Sequence, residues 1–170
     1  MRIFAVLLIM IASFTSPAVA APAKVAIFDI ELLDTSLEGA TQGKRADETH
    51  RLETISAELR KLLAESGQVV LVDTASAAAQ VAKEGPLTRC NGCAIEIARD
   101  LGARWAISGF VQKTSNLILS MRVDITDVST DKVVRAGTVD IRGNTDEMWL
   151  RGIRWLAKNR LLDPPLPQLP

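Results

Sequence analysis

The chain has 170 residues, with 20 basic and 20 acidic side chains, so its formal net charge is zero. That balance lacks the basic excess of a nucleic-acid-binding domain, and no nucleic-acid partner is expected. The two cysteines fall in one short motif, which excludes a scaffold built on disulfides, and the length suits a single self-sufficient core.

Met1-Arg2 is a basic start, Ile3 to Phe14 is apolar, and Ser16-Pro17-Ala18-Val19-Ala20 ends in a small-x-small pattern. This layout predicts a secretory signal peptide over residues 1–20, cleaved near Ala20. The apolar run falls short of the roughly 20 residues needed to span a bilayer. No Cys follows the cut, so no lipid anchor is expected, and the protein should work in the periplasm or be secreted. Residues 21–163 read as one domain. Pro164 to Pro170 reads as a proline-rich, extended tail.

Lys24 to Leu33 is almost continuously apolar and predicts a strand covered on both faces. Asp34 to Gly43 reads as a polar loop. Asp47 to Ser66 is an amphipathic helix with Leu52, Ile55, Leu59, Leu62 and Leu63 on one face, stopped by Gly67. A short strand follows over Gln68 to Asp73, then an Ala-rich helix over Ala75 to Lys83. A third helix spans Cys93 to Leu101. Trp105 to Lys113 reads as a strand. Leu117 to Asp127 alternates apolar with polar residues, and Val133 to Arg142 returns beside it. Asn144, with Glu147 three residues on, predicts the cap of a last helix reaching Leu162. The fold class is therefore mixed α/β. One sheet of about five strands begins with βαβ units, ends in an antiparallel meander, and is flanked by about four helices.

Val25 to Asp29, the helix after it, Val69 to Asp73, and Leu101 to Gly109 occur in an order that resembles the N-terminal domain of TolB and CsgG-like envelope lipoproteins. The wider set Phe28-Asp29, Asp34-Thr35-Ser36, Cys90-x-x-Cys93, Gly102 to Trp105, Lys113 to Leu117 and Asp140 to Asp146 resembles an uncharacterised family of exported bacterial proteins, a domain of unknown function. The resemblance implies this fold and an envelope compartment, and it carries over no catalytic residue.

Cys90-Asn91-Gly92-Cys93 opens the third helix, where the helix dipole and free amides lower a thiol pKa. A local disulfide, a redox pair and a metal-binding or intermolecular pair all suit it. The distant His50 cannot complete a zinc site. Ala94 stands where haem attachment needs His. Asp29, Glu31 and Asp34 cluster after the first strand, where a ligand or cation could bind beyond strand ends and where Asp also fixes turns. On the last helix, Trp149 and Trp155 sit among apolar residues, with Arg151, Arg154 and Lys158 in a narrow polar strip. That helix and the Arg142-Gly143-Asn144 approach read as a partner surface. Three covers suit the helix: the tail folded over Trp155, a protein partner or second protomer, and a membrane surface. No nucleophile stands with a base, so neither enzyme activity nor a cofactor is expected. The leading reading is an envelope protein that binds or assembles with a protein partner. The alternative is a periplasmic thiol–disulfide protein using Cys90 and Cys93.

Overall fold

The structure is a computed structural model that describes residues 22–167. The leader expected over 1–20 and its cut site lie outside the described residues. Six strands form one mixed sheet: β1 (Ala23–Ile27), β2 (Glu31–Asp34), β3 (Val69–Leu71), β4 (Trp105–Lys113), β5 (Leu119–Asp127) and β6 (Lys132–Ile141). Five α-helices accompany them: α1 (Leu37–Gln42), α2 (Ala46–Glu65), α3 (Ala78–Glu84), α4 (Cys93–Asp100) and α5 (Asp146–Leu156). The main strand order is β3-β1-β4-β5-β6, with β2 also paired to β4. β1 pairs in parallel with β3 and β4, β2 is parallel to β4, and β4-β5-β6 is the antiparallel meander.

The sequence reads Lys24 to Leu33 as one strand, but the structure makes two. Ile27 pairs with Ile107, whereas Glu31 pairs with Phe110. Three residues, Phe28 to Ile30, therefore face two, Ser108 and Gly109. This is a bulge, with one extra residue on the β1–β2 side. It reverses the side-chain phase. Val25 and Ile27 face the main core before it, and Ile30 and Leu32 face the same core after it. Ser56 of α2 accepts the Ile30 N–H at 2.9 Å and so satisfies the displaced backbone.

The main core lies between the sheet and the α2/α5 layer and holds Val25, Ile27, Ile55, Leu59, Trp105, Ile107, Met121, Ile125, Trp149 and Ile153. A smaller core under α3 and α4 takes Ala26, Phe28, Ala106, Ile97 and Ala98. β1 is thus buried on both faces. β5 buries its odd residues and leaves Ser120, Arg122, Asp124 and Thr126 less buried, as alternation in an antiparallel strand requires. Gly152 lets α5 approach β6 closely, since a Cβ there would lie 2.8 Å from Ile141 Cγ2.

Three further expectations change. The loop expected over Asp34 to Gly43 contains α1, capped by Ser36, whose hydroxyl accepts the Gly39 N–H at 3.0 Å. The cap of the last helix is Thr145, which accepts from the Met148 N–H, and not Asn144. Asn144 has its side chain committed elsewhere. The last helix widens to a π-type turn over Ala157–Leu161. The chain then folds back: Leu166 is 5% exposed in the main core, and its N–H is accepted by Gln68 Oε1 at 2.7 Å. The packed domain thus runs past residue 163, into the segment that reads as tail.

Candidate functional site

Helical spacing divides α5 and the turn after it into two faces. Trp149, Ile153, Leu156, Ala157 and Leu161 are buried. Arg151, Arg154, Trp155, Lys158 and Arg160 are exposed. Trp155 is the most exposed large aromatic, at 43%, and the Arg160 guanidinium stands 5.7 Å from its ring centroid. That is cation–π distance. Arg154 donates to Glu58 of α2 at 2.6 Å, which fixes the strip against its neighbour. The tail turns toward Gln68, whose side-chain oxygen accepts the Leu166 N–H, and Trp155 stays 43% exposed.

The residues expected on one partner surface therefore separate. Arg151, Arg154 and Trp155 share an exposed strip. Arg142 is exposed at the β6–α5 junction, at the other end of the helix. Trp149 is a correction. Its ring is wholly buried, and its indole N–H donates to Asn144 Oδ1 at 3.0 Å, so it supports the surface from beneath and cannot touch a partner.

Asn144 belongs to a buried polar hub that sequence reasoning missed. Its side-chain amide donates to Glu48 Oε1 at 2.6 Å and Asn116 Oδ1 at 3.1 Å. Lys113, with no exposed side-chain surface, donates to Glu48 at 2.6 Å and to Glu38 at 2.7 Å, with Asp34 at 3.4 Å. Burial alone would lower the Lys113 pKa. The hydrogen bonds it donates to Glu38 and Glu48 more than offset this and hold it above the ordinary amine value, so the ammonium is charged. The Lys113 hydrogen bond holds Glu38 below the usual carboxylate value. Burial would raise Asp34, but the Ser36 hydrogen bonds and Lys113 keep it low. Arg51 extends the hub to Asp47 at 3.0 Å and Asp146 at 2.7 Å. A sequence signal for the hub exists. Lys113 falls in the inward phase of β4 with Trp105, Ile107 and Val111, and Glu48 falls on the Leu52/Ile55/Leu59 face of α2. A cation and an anion on two apolar faces imply a buried pair.

The structure does not gather Asp29, Glu31 and Asp34 into a cation site. Asp29 pairs with Arg60 at 2.8 Å. Glu31 accepts the Leu87 and Thr88 amides at 2.6 and 3.0 Å. Asp34 accepts the Ser36 N–H at 2.8 Å. Each carboxylate is committed to the protein's own donors and fixes a loop. Among the described residues, the one group of three metal-ligating side chains within 4.8 Å is Glu84, Cys90 and Cys93. The two cysteine sulfurs lie at disulfide distance at the start of α4, with Cα atoms 5.7 Å apart. Glu84 Oε2 is 3.6 Å from Cys93 Sγ.

The fold has solved relatives of low identity. The chain resembles the LpoB C-terminal domain from Escherichia coli with a TM-score of 0.51 at 17% identity, over 75% of this chain and 88% of that one. It resembles the PelC dodecamer from Paraburkholderia phytofirmans with a TM-score of 0.50 at 22% identity, over 83% and 89%. TolB from Acinetobacter baumannii is similar at a TM-score of 0.41 and 13% identity, over 86% of this chain and 31% of that one. These likenesses concern the fold. No helix of the described residues is long and apolar enough to cross a membrane. No curated protein matches the sequence. A family model, DUF3280, described as a protein of unknown function (DUF2380), matches residues 23–161, nearly the whole described domain, and the chain belongs to that family.

Proposed function

We propose that this is an exported, non-enzymatic envelope protein that acts by binding or assembling with a protein partner through the α5 strip. The observation that carries the reading is Trp155. A half-exposed indole surrounded by Arg151, Arg154, Lys158 and Arg160 has the Trp/Arg composition of binding hot spots. Arg154 is paired with Glu58, and the other three cations, Arg151, Lys158 and Arg160, suit an acidic partner surface, which would speed encounter and fix orientation. The leader-like residues 1–20 support an envelope address. The similar fold of the PelC dodecamer supports self-association as one form of this reading, so a second copy of this chain is one arm of the test.

The test is capture from envelope extracts with the mature chain, alongside light scattering to read self-association. Trp155→Ala and Arg151→Ala should each weaken capture or self-association at least tenfold while leaving the melting temperature in place. Unchanged capture and an unchanged oligomeric state in both variants would overturn the proposal.

A second reading is a periplasmic thiol–disulfide protein. It draws on the Cys90–Cys93 pair, whose half-buried member Cys90 lies in the turn before α4. The Glu84 carboxylate beside Cys93 works against it, because a neighbouring negative charge disfavours thiolate. A structural bond should show a reduction potential below about −300 mV. Mixed disulfides trapped by Cys93→Ser would favour the second reading over the first.

A further inference from the structure

β2 is bonded to β4 along one edge only. The pattern of that edge fixes what remains free on the other. The Thr35 N–H donates to the Lys113 carbonyl at 2.9 Å. Alternation therefore turns the main-chain groups of Glu31 and Leu33 toward β4, and those of Leu32 and Asp34 away from it. Among the described residues, the amides and carbonyls of Leu32 and Asp34 have no hydrogen-bond partner.

These groups open into a cleft of about 680 Å³. It lies where the sheet is missing a strand. β3 runs beside β1 and stops at Leu71, so the same lane beside β2 is empty. Leu52 of α2 forms one wall, and Val81 and Pro86 form the other. The two walls are fixed by the carboxylates described above, with Glu31 holding Leu87–Thr88 and Asp34 holding Ser36 at the start of α1. Asp34 pairs with Lys113, and Arg45 with Glu38 and Asp47. Glu31 accepts neutral donors only, and Lys44 and Arg89, exposed at the rim, have no ion pair among the described residues. The ionisable side chains that line the cleft, Lys44, Arg45 and Arg89 against Glu31 and Asp34, thus leave an excess of one positive charge.

We propose that this slot takes an extended acidic peptide segment of a partner polypeptide, added as a further strand beside β2. Main-chain bonds to Leu32 and Asp34 would supply register. Alternate side chains would meet Leu52 on one wall and Val81 and Pro86 on the other, with carboxylates reaching Lys44 and Arg89. A four-residue strand spans about 13 Å, the length of β2. The site is separate from the α5 strip and does not depend on it.

The experiment uses the mature chain and an array of ten-residue peptides that alternate Leu or Val with Asp or Glu, plus matched peptides carrying Lys in place of the acids. The acidic set should bind at least tenfold more tightly. At saturation, amide exchange at Leu32 and Asp34 should slow at least tenfold. Proline at alternate peptide positions should abolish binding, because it removes the donors that face β2. Lys44→Glu with Arg89→Glu should weaken binding at least tenfold. Ala82→Trp, at an exposed position lining the cleft, should block it with the melting temperature unchanged. Trp155→Ala should bind the peptides normally, so loss of envelope capture in that variant separates failure of one site from failure of the other. The proposal is overturned if no peptide of the array binds, if acidic and basic peptides bind alike, if exchange at Leu32 and Asp34 is unmoved by a bound peptide, or if only small molecules occupy the cleft.

Discussion

Replacing Lys113 by Met tests whether the polar hub is a tightly balanced element. Methionine keeps most of the lysine stem and removes the ammonium. The loss falls chiefly on Glu48, which is 1% exposed and would be left without its cation. Its second oxygen, Oε2, already lacks a hydrogen-bond partner. Asp34 and Glu38 retain 16% and 21% side-chain exposure, so water compensates part of their loss. Removing one partner of a buried pair costs about 3–5 kcal/mol. For a domain of this size that lowers the melting temperature by roughly 6–20 °C. Urea unfolding, followed by the emission of the buried Trp105 and Trp149, measures it directly. Adding Glu48→Gln removes the stranded charge while keeping an oxygen for Asn144, and should recover about half of the loss or more. A single variant within about 1 kcal/mol of the parent, or a double variant no better than the single one, would refute the reasoning.

Three further outcomes follow from the same interactions. Asp34 and Glu38 are held below their unfolded values of 3.8 and 4.5, so their contribution is full above those values and lost as pH falls below them. Lys113 contributes fully below 10.5 and loses its share only as pH climbs above that value. The urea midpoint should therefore decline from about pH 4 downward, and more shallowly in Lys113→Met. Leu166→Ala removes a buried side chain from the main core and should cost about 2–4 kcal/mol, readable by thermal unfolding, whereas a free tail would cost nothing. Reducing the Cys90–Cys93 pair opens a ring of four residues and should cost about 2 kcal/mol by the loop-entropy account, with the fold retained, as circular dichroism would show.

Much of the fold is legible because its elements obey simple periods. β4 runs Trp105 to Lys113 as its pattern predicts, and the alternation of Leu119 to Ile125 gives both a strand and its buried face. The site is less legible. The apolar residues of α5 do not reveal which indole is covered. Trp149 and Trp155 are six residues apart, on different faces, and the packing of Gly152 on Ile141 decides that the first goes inward. Asn144 carries a sound local capping signal, yet Thr145 takes the role. Four partners, Glu48, Asn116, Arg51 and the Trp149 indole, hold the Asn144 side chain, and their combined hydrogen bonds outweigh one cap bond. A local motif is overridden where distant charges converge, and a single sequence does not display that convergence.

The first strand makes the same point from the backbone. Its apolar run is continuous, but the spacing within it is not uniform. Val25 and Ile27 are odd, Ile30 and Leu32 are even, and both pairs reach one core. A regular strand cannot place both sets on one face, since its side chains alternate strictly. An extra residue must intervene, and Asp29 is its polar, exposed member, paired with Arg60. β3 leaves the sheet before the bulge, where Leu71 lies opposite Val25, so β2 beyond it lies beside β4 alone. The free edge beside β2 and the cleft along it begin there. Deleting Asp29 should restore a single regular strand, with Ile30 and Leu32 still in phase with Val25 and Ile27 on the core face and Glu31 still opposite Phe110. The exposed Asp29–Arg60 pair is lost, so thermal unfolding should show a cost of about 1 kcal/mol or less, and a collapse of the fold would refute the bulge account.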